Sequence, residues 1–300
     1  MSRQKKKHSA VYNVLSWLVT IVVAIVLAST IKAFAFEFVR VDGDSMQDTL
    51  QSGDVVLVTK LDYGTIWLTM PWQSAYEREL ANRFNVGFGD VKQADVVIVR
   101  YPGNGTDNFV KRIVGLPGDV IAVRDGFLYV NGVFVNEPYI TDAYRMMDAE
   151  WLNELRSLGL QEDMPDGVAN FDDIRIPCAG DTVTFGLRGE SLESVSLYVN
   201  GDVWPWWGIS SLMHDSDGNE LRVTPYGVFW NGEAIDIYEV QQAAQLLGRS
   251  FTLDEDLYFV MGDHRNDSMD SRLFGAISRS CIIGHARQVI FPFSAWKTLE

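Results

Sequence analysis

The sequence predicts a mainly β protein. A single amino-terminal transmembrane helix leads into a mostly antiparallel β body, with an inserted, β-rich elaboration that contains a few helices. Three observations predict this. Residues 11–31 form an uninterrupted run of 21 residues without a charge. Beyond it, short β-branched runs recur between Gly, Pro, Asp and Asn, the usual strand and turn chemistry. Three Asn-Gly pairs then sit between apolar runs. At 300 residues and 47% hydrophobic, the chain can build a sizeable core, roughly two domains' worth, which excludes a wholly disordered protein.

The apolar run comes first. As a helix it would rise about 31 Å, close to the roughly 30 Å of hydrocarbon in a bilayer. A cleaved signal peptide has an apolar region of about 7 to 15 residues, shorter than this one. Ala33-Phe34-Ala35 offers a small-residue cleavage pattern, but it follows Lys32, which interrupts the run. The expectation is a retained anchor over residues 11–36 behind a basic cytoplasmic tail over residues 1–10. Arg3, Lys5, Lys6 and Lys7 hold the amino end inside, so the body lies on the outer (periplasmic or extracellular) side of the cell membrane.

The body follows as strands. Residues 55–58, 96–99, 109–114 and 120–123 are short and β-branched. Asn131-Gly132, Asn200-Gly201 and Asn231-Gly232 each suit the positive φ of a type I′ turn and predict three hairpins. Two helices are expected within this framework. One places Trp151, Leu152, Leu155 and Leu158 on one face; the other places Val240, Ala243, Ala244 and Leu247 before Gly248. Residues 141–255 contain both helices and most of the acidic turns. They read as an insertion into a core formed by residues 37–140 and 256–300. The aromatic groups at 66–72 and 204–207 read as buried or interdomain contacts, with a lipid headgroup boundary as the alternative.

Charge and ligand counts exclude several function classes. The net charge is −15, and with four basic residues gathered at the amino end the rest of the chain carries −19. Such a body repels phosphate backbones, so nucleic-acid partners are not expected. Cys178 and Cys281 form no C-x-x-C, and four histidines cannot supply a multi-histidine centre, so neither a metal nor a cofactor is expected. One disulfide between the two cysteines remains open. Residues 215–220 place Gly218 too early for a calcium loop and read as a surface turn.

Three segments stand out chemically. Residues 43–54 contain Gly43-Asp44-Ser45-Met46, just beyond the anchor. Residues 109–119 contain Lys111-Arg112. Residues 262–275 contain Gly262-Asp263-His264-Arg265 and Ser268-Met269-Asp270-Ser271-Arg272. In this order, behind an amino-terminal anchor, they resemble the catalytic-core boxes of the type I signal peptidases, membrane-bound Ser/Lys serine endopeptidases. The resemblance implies that Ser45 is the nucleophile and Lys111 the general base. It implies that Ser268 orients the lysine, and that Asp270 and Arg272 form a supporting ion pair with Asp263 nearby. The chain departs from the family twice: Asp48 stands where Pro is common, and His264 where Asn is common.

The residues support these roles on their own terms. A serine hydroxyl needs a base within hydrogen-bond reach, and a lysine serves only when neutral. At its usual pKa about one lysine in 2,500 is neutral at pH 7; a shift to about 8 makes that about one in ten and costs about 3 kcal/mol. Strand parity sets Lys111 on a face with Phe109 and Ile113, and Arg112 on the other with Val110 and Val114. Parity alone favours an amine that snorkels to the surface, the commoner fate; the three-box resemblance reverses that preference toward a dry one. The Ser45 N–H is the natural first donor to a tetrahedral oxyanion. At Gly43, where some family members place a hydroxyl, only backbone is available, consistent with close approach to a substrate.

The substrates implied are signal-peptide-bearing preproteins cut after small residues at −1 and −3. An extended peptide would pair with a sheet edge, beside membrane lipid. Two alternatives remain. A Ser-His-Asp hydrolase could draw on His264 or His285, but no Gly-x-Ser-x-Gly elbow surrounds Ser45. A membrane-anchored β-rich binding module, or a catalytically inactive relative, would share the hairpins and the acidic surface.

Overall fold

The computed structural model describes residues 10–67, 72, 83–101, 107–142, 170–187, 195–204, 211–224, 227–236 and 240–299. Helix α1 (Ala10–Phe34) contains the uncharged run and is long and apolar enough to cross a membrane. Its polar side chains do not break it. Thr20 and Thr30 donate their hydroxyls to the carbonyls of Ser16 and Val26 one turn back, which is how such groups are accommodated in hydrocarbon.

The chain leaves α1 directly into the first sheet. β1 (Phe36–Arg40) pairs with β2 (Val55–Thr59), and β2 with β21 (Ile282–Phe291). The order continues through β5 (Val96–Arg100), β6 (Asn108–Gly115), β19 (Leu257–Met261) and β20 (Ile277–Ser278), with β22 (Lys297–Thr298) on the far side of β21. Every pairing is antiparallel. The two-residue period of β5 sorts its side chains between two cores. Val96 and Ile98 join Val56, Val58, Met46 and Leu50 on one face, while Val97 and Val99 join Ile113, Val260 and Phe274 on the other. This central strand is therefore covered on both sides, which its unbroken Val-Ile run requires.

A second sheet has the order β10 (Phe171–Arg175), β7 (Val120–Arg124), β8 (Phe127–Val130) and β9 (Val133–Phe134). A third runs β13 (Asp202–Val203), β12 (Val195–Val199), β11 (Thr182–Leu187), β18 (Ser250–Leu253), β14 (Ser211–Asp215), β15 (Glu220–Thr224), β16 (Gly227–Trp230) and β17 (Glu233–Ile235). One apolar core joins these two sheets and reaches Phe259 and Met261 on β19. A small ribbon, β3 (Thr65–Trp67) with β4 (Arg83–Asn85), stands apart.

All three Asn-Gly hairpins form. Asn131, Asn200 and Asn231 have φ of 52°, 52° and 48°, each followed by a positive-φ glycine, and each turn joins adjacent paired strands. A fourth turn of the same kind, Asp125-Gly126, joins β7 to β8. Residues 215–220 form the β14–β15 turn, with the Asp215 carboxylate accepting from the Asp217 and Asn219 amides. The expected helix before Gly248 shrinks to one turn, α2 (Val240–Ala243), because Leu247 leaves the helix to bridge Phe185. The other expected helix, at 151–158, lies outside the described residues, as do the basic tail and residues 68–71 and 205–207. Trp204 is buried in the core, whereas Trp72 is exposed. No disulfide joins Cys178 and Cys281, and the second is buried.

Candidate active site

Three elements converge on Ser45. The first is the loop between β1 and β2, which Met46 pins by burying its side chain among Val56, Val96 and Ile98. The second is β6, which carries Lys111 opposite Val97. The third is the turn leaving β19, where Gly262, Asp263 and His264 pass against the Ser45 backbone. The His264 amide donates to the Ser45 carbonyl at 3.1 Å, and the His264 ring Nδ1 lies 3.1 Å from the Asp44 carbonyl.

At the centre, Lys111 Nζ stands 2.7 Å from Ser45 Oγ. The lysine is 2% exposed and its amine lies 5.3 Å from the Phe109 ring centroid. The amine is thus dry, as the resemblance implies and against the surface position that parity alone favours. Burial is the main cause of a depressed pKa, lowered from 10.5 to about 8. The positive charge of Arg272 adds to it, while Asp270 and Asp263 oppose it. The carboxylates are engaged elsewhere. Asp270 receives Arg272 through Nε at 2.9 Å and Nη2 at 2.8 Å. Asp263 receives Arg112 through Nε at 2.9 Å and Nη2 at 2.7 Å. Burial pushes the Asp270 carboxyl up, but the Arg272 charge and hydrogen bonds and the Gly262 amide outweigh it and hold it below its usual range.

A third buried pair, Arg265 with Glu137, completes the surroundings. Arg265 Nε also donates to the Gly262 carbonyl, and Arg272 Nη2 to the Arg265 carbonyl, so the pairs brace one another. Tyr139 covers Arg112, with the guanidinium carbon 3.6 Å from the ring centroid. Each guanidinium meets a carboxylate in two-point fashion, the geometry that best offsets desolvation. With Asp263, Asp270 and Glu137 each matched to an arginine, their pull on the Lys111 proton is outweighed by burial.

The structure therefore brings together Ser45, Lys111, Asp263, Asp270 and Arg272. Ser268 is also buried beside them, packed against Gly262, and among the described residues its hydroxyl has no hydrogen-bond partner. The Gly43 amide reaches Ser52 Oγ at 3.4 Å, and its φ of 95° suits glycine. Sequence reasoning missed Arg112 as the partner of Asp263, although both lay in singled-out segments. It also missed the role of Arg265, which lay in the third of those segments, and Glu137 and Tyr139, for which nothing local gave a signal. Gly262 was visible as the first residue of its segment; the tight contact with the Ser45 carbonyl was not. Among the described histidines, the His264 ring meets the Asp44 carbonyl, and the other two are engaged by carboxylates of their own. His285 is stacked on Tyr63 between Asp62 and Asp95, and His214 meets Asp254.

Comparison with known proteins gives a concordant result. The family model described as signal peptidase, peptidase S26, matches residues 14–169 and 176–291. A signal peptidase I of Bacillus caldolyticus is 31% identical over 140 residues, 47% of this chain and 59% of that protein. Signal peptidase I S of Bacillus subtilis (strain 168) is 35% identical over 129 residues, 43% of this chain and 55% of that protein. In these two alignments the chain spans little more than half the relative's length. Signal peptidase I P of Bacillus subtilis subsp. natto is 33% identical over 291 residues, covering 97% of this chain and 93% of its own. A solved signal peptidase I from Enterococcus faecalis V583 overlaps 66% of this chain and 97% of its own at 20% identity. Its TM-score of 0.29 is too low to carry a statement about fold. On the extent of the family match, this chain belongs to the peptidase S26 family of signal peptidases.

Proposed function

We propose that this protein is a membrane-anchored serine endopeptidase that removes signal peptides from exported preproteins. The observation that carries the proposal is the 2.7 Å contact between the Ser45 hydroxyl and a buried lysine amine. Ser45 Oγ attacks the scissile carbonyl carbon as its proton passes to neutral Lys111 Nζ. The tetrahedral oxyanion forms against the Ser45 N–H, whereas the Gly43 N–H is directed at the Ser52 hydroxyl. Collapse breaks the C–N bond, and the Lys111 ammonium returns the proton to the departing amine. Water, deprotonated by the same lysine, then releases the acyl group and restores Ser45. Asp270, Arg272 and Asp263 support the site, and Ser268 lines it without the hydrogen bond to Lys111 that the resemblance implies; no step calls for a metal or cofactor.

In this reading residues 11–36 anchor the chain in the cell membrane with the amino end cytoplasmic, and the active site faces outward. Residues 37–140 and 256–300 form the catalytic core, into which residues 141–255 are inserted. Small side chains at −1 and −3 are what the family resemblance implies for the substrate. With Ser45 only 11 residues past the end of α1, the site can meet a cleavage site as it leaves the bilayer.

The test is turnover of a preprotein by the chain in detergent micelles. Ser45→Ala and Lys111→Ala should each abolish cleavage while leaving the melting temperature within a few degrees. Because only the neutral amine accepts a proton, kcat/KM should climb with pH and level off above about 8. A profile that is flat between pH 6 and about 9.5 would rule out Lys111 as the base.

A further inference from the structure

The Asp44 carbonyl and the Ser45 N–H are two ends of one planar peptide, so fixing the direction of one fixes the other. His264 Nδ1 lies 3.1 Å from that carbonyl oxygen. A carbonyl only accepts, so the ring donates and Nδ1 carries the proton. The same residue's backbone amide donates to the Ser45 carbonyl at 3.1 Å. One residue thus grips the peptides on both sides of the nucleophile.

We infer that His264 is a positioning residue that aims the Ser45 N–H at the oxyanion by donating from its ring to the opposite end of the same peptide. The inference rests on the Ser45–Lys111 reading and adds to it. A hydrogen bond at the carbonyl also polarises the amide, which strengthens its N–H as a donor. The clamp is firmly mounted: its neighbours Asp263 and Arg265 are both locked in buried ion pairs, with Arg112 and Glu137. The Asp267 amide closes the turn onto the His264 carbonyl at 3.1 Å. The donor also accounts for the departure from the family. Asn, common at this position, carries its amide nitrogen the same number of bonds from Cα as His carries Nδ1. Either residue can donate to this carbonyl, although their shapes differ.

The test uses the full chain in detergent micelles, a preprotein substrate, and His264→Asn, His264→Asp and His264→Leu, with Ser45→Ala as the reference. Asn should retain kcat within about threefold of the parent, whereas Leu and Asp should lose about tenfold or more in kcat with KM little changed. The rising limb of the pH profile should stay in place for all of them. Asn and Asp are isosteric and differ in the N–H, so that pair decides the matter even where Leu lowers the melting temperature. Equal activity across the series overturns the inference. So does an Asn variant as slow as Leu, or a pH limb that disappears with the ring, which would mark His264 as a base. If Ser45→Ala still cleaves, the failure belongs to the underlying Ser/Lys reading instead.

Discussion

Gly262 shows how little room surrounds the nucleophile. Its amide donates to Asp270 at 3.0 Å, and a Cβ at this position would overlap both Ser268 Oγ and the Ser45 carbonyl oxygen. The serine side chain could rotate away, but the carbonyl belongs to the nucleophile's own backbone. Gly262→Ala should therefore displace Ser45 from Lys111 and cut kcat/KM by about 100-fold, measured on preprotein, with a folded far-UV spectrum retained. Turnover within about twofold of the parent would show that the loop yields without cost. At this scale the sequence named the central residues but not their pairings. Ser45 and Lys111 were legible because three ordered motifs name them, although strand parity alone favoured a surface lysine. Asp263 with Arg112, and Glu137 with Arg265, were not, because partners 151 and 128 residues apart meet only through sheet topology.

The loop between β1 and β2 illustrates the scale of elements. Asp48 has a φ of 79°, and its carboxylate accepts from the Thr141 amide at 3.3 Å. Proline, common here in the family, is locked near −65° and cannot adopt this backbone. The departure at Asp48 is thus a change in loop conformation as well as in side chain. Asp48→Pro should destabilise the protein by roughly 3 kcal/mol, read as a lower melting temperature, whereas Asp48→Asn should be nearly silent. A proline variant as stable as the parent would contradict the positive φ. Strand positions were legible from β-branched runs: residues 109–114 and 120–123 fall within β6 and β7. Asn-Gly fixed three hairpins because few residues tolerate consecutive positive φ. The helix before Gly248 failed as a prediction because tertiary pairing of Leu247 with Phe185 outweighed a weak local preference.

Across the whole molecule, the fold holds a buried amine that loses its proton readily, in a chain that is otherwise strongly acidic. Three arginine–carboxylate pairs neutralise one another around Lys111, and two apolar cores flank the strand that presents it. The cost appears in stability. With the folded pKa depressed, a penalty of about 3 kcal/mol is fully present below about pH 8. It fades as pH rises toward 10.5 and is absent above. The fold thus gives up stability at neutral pH to keep a base ready.

The titration of Lys111 itself tests this most directly. Lysine labelled with carbon-13 at Cε, assigned by Lys111→Arg in the micelle-bound chain, should report one midpoint near 8, well separated from the remaining lysines. A Lys111 signal that titrates above 10 with the others would contradict a dry amine with a depressed pKa beside Ser45.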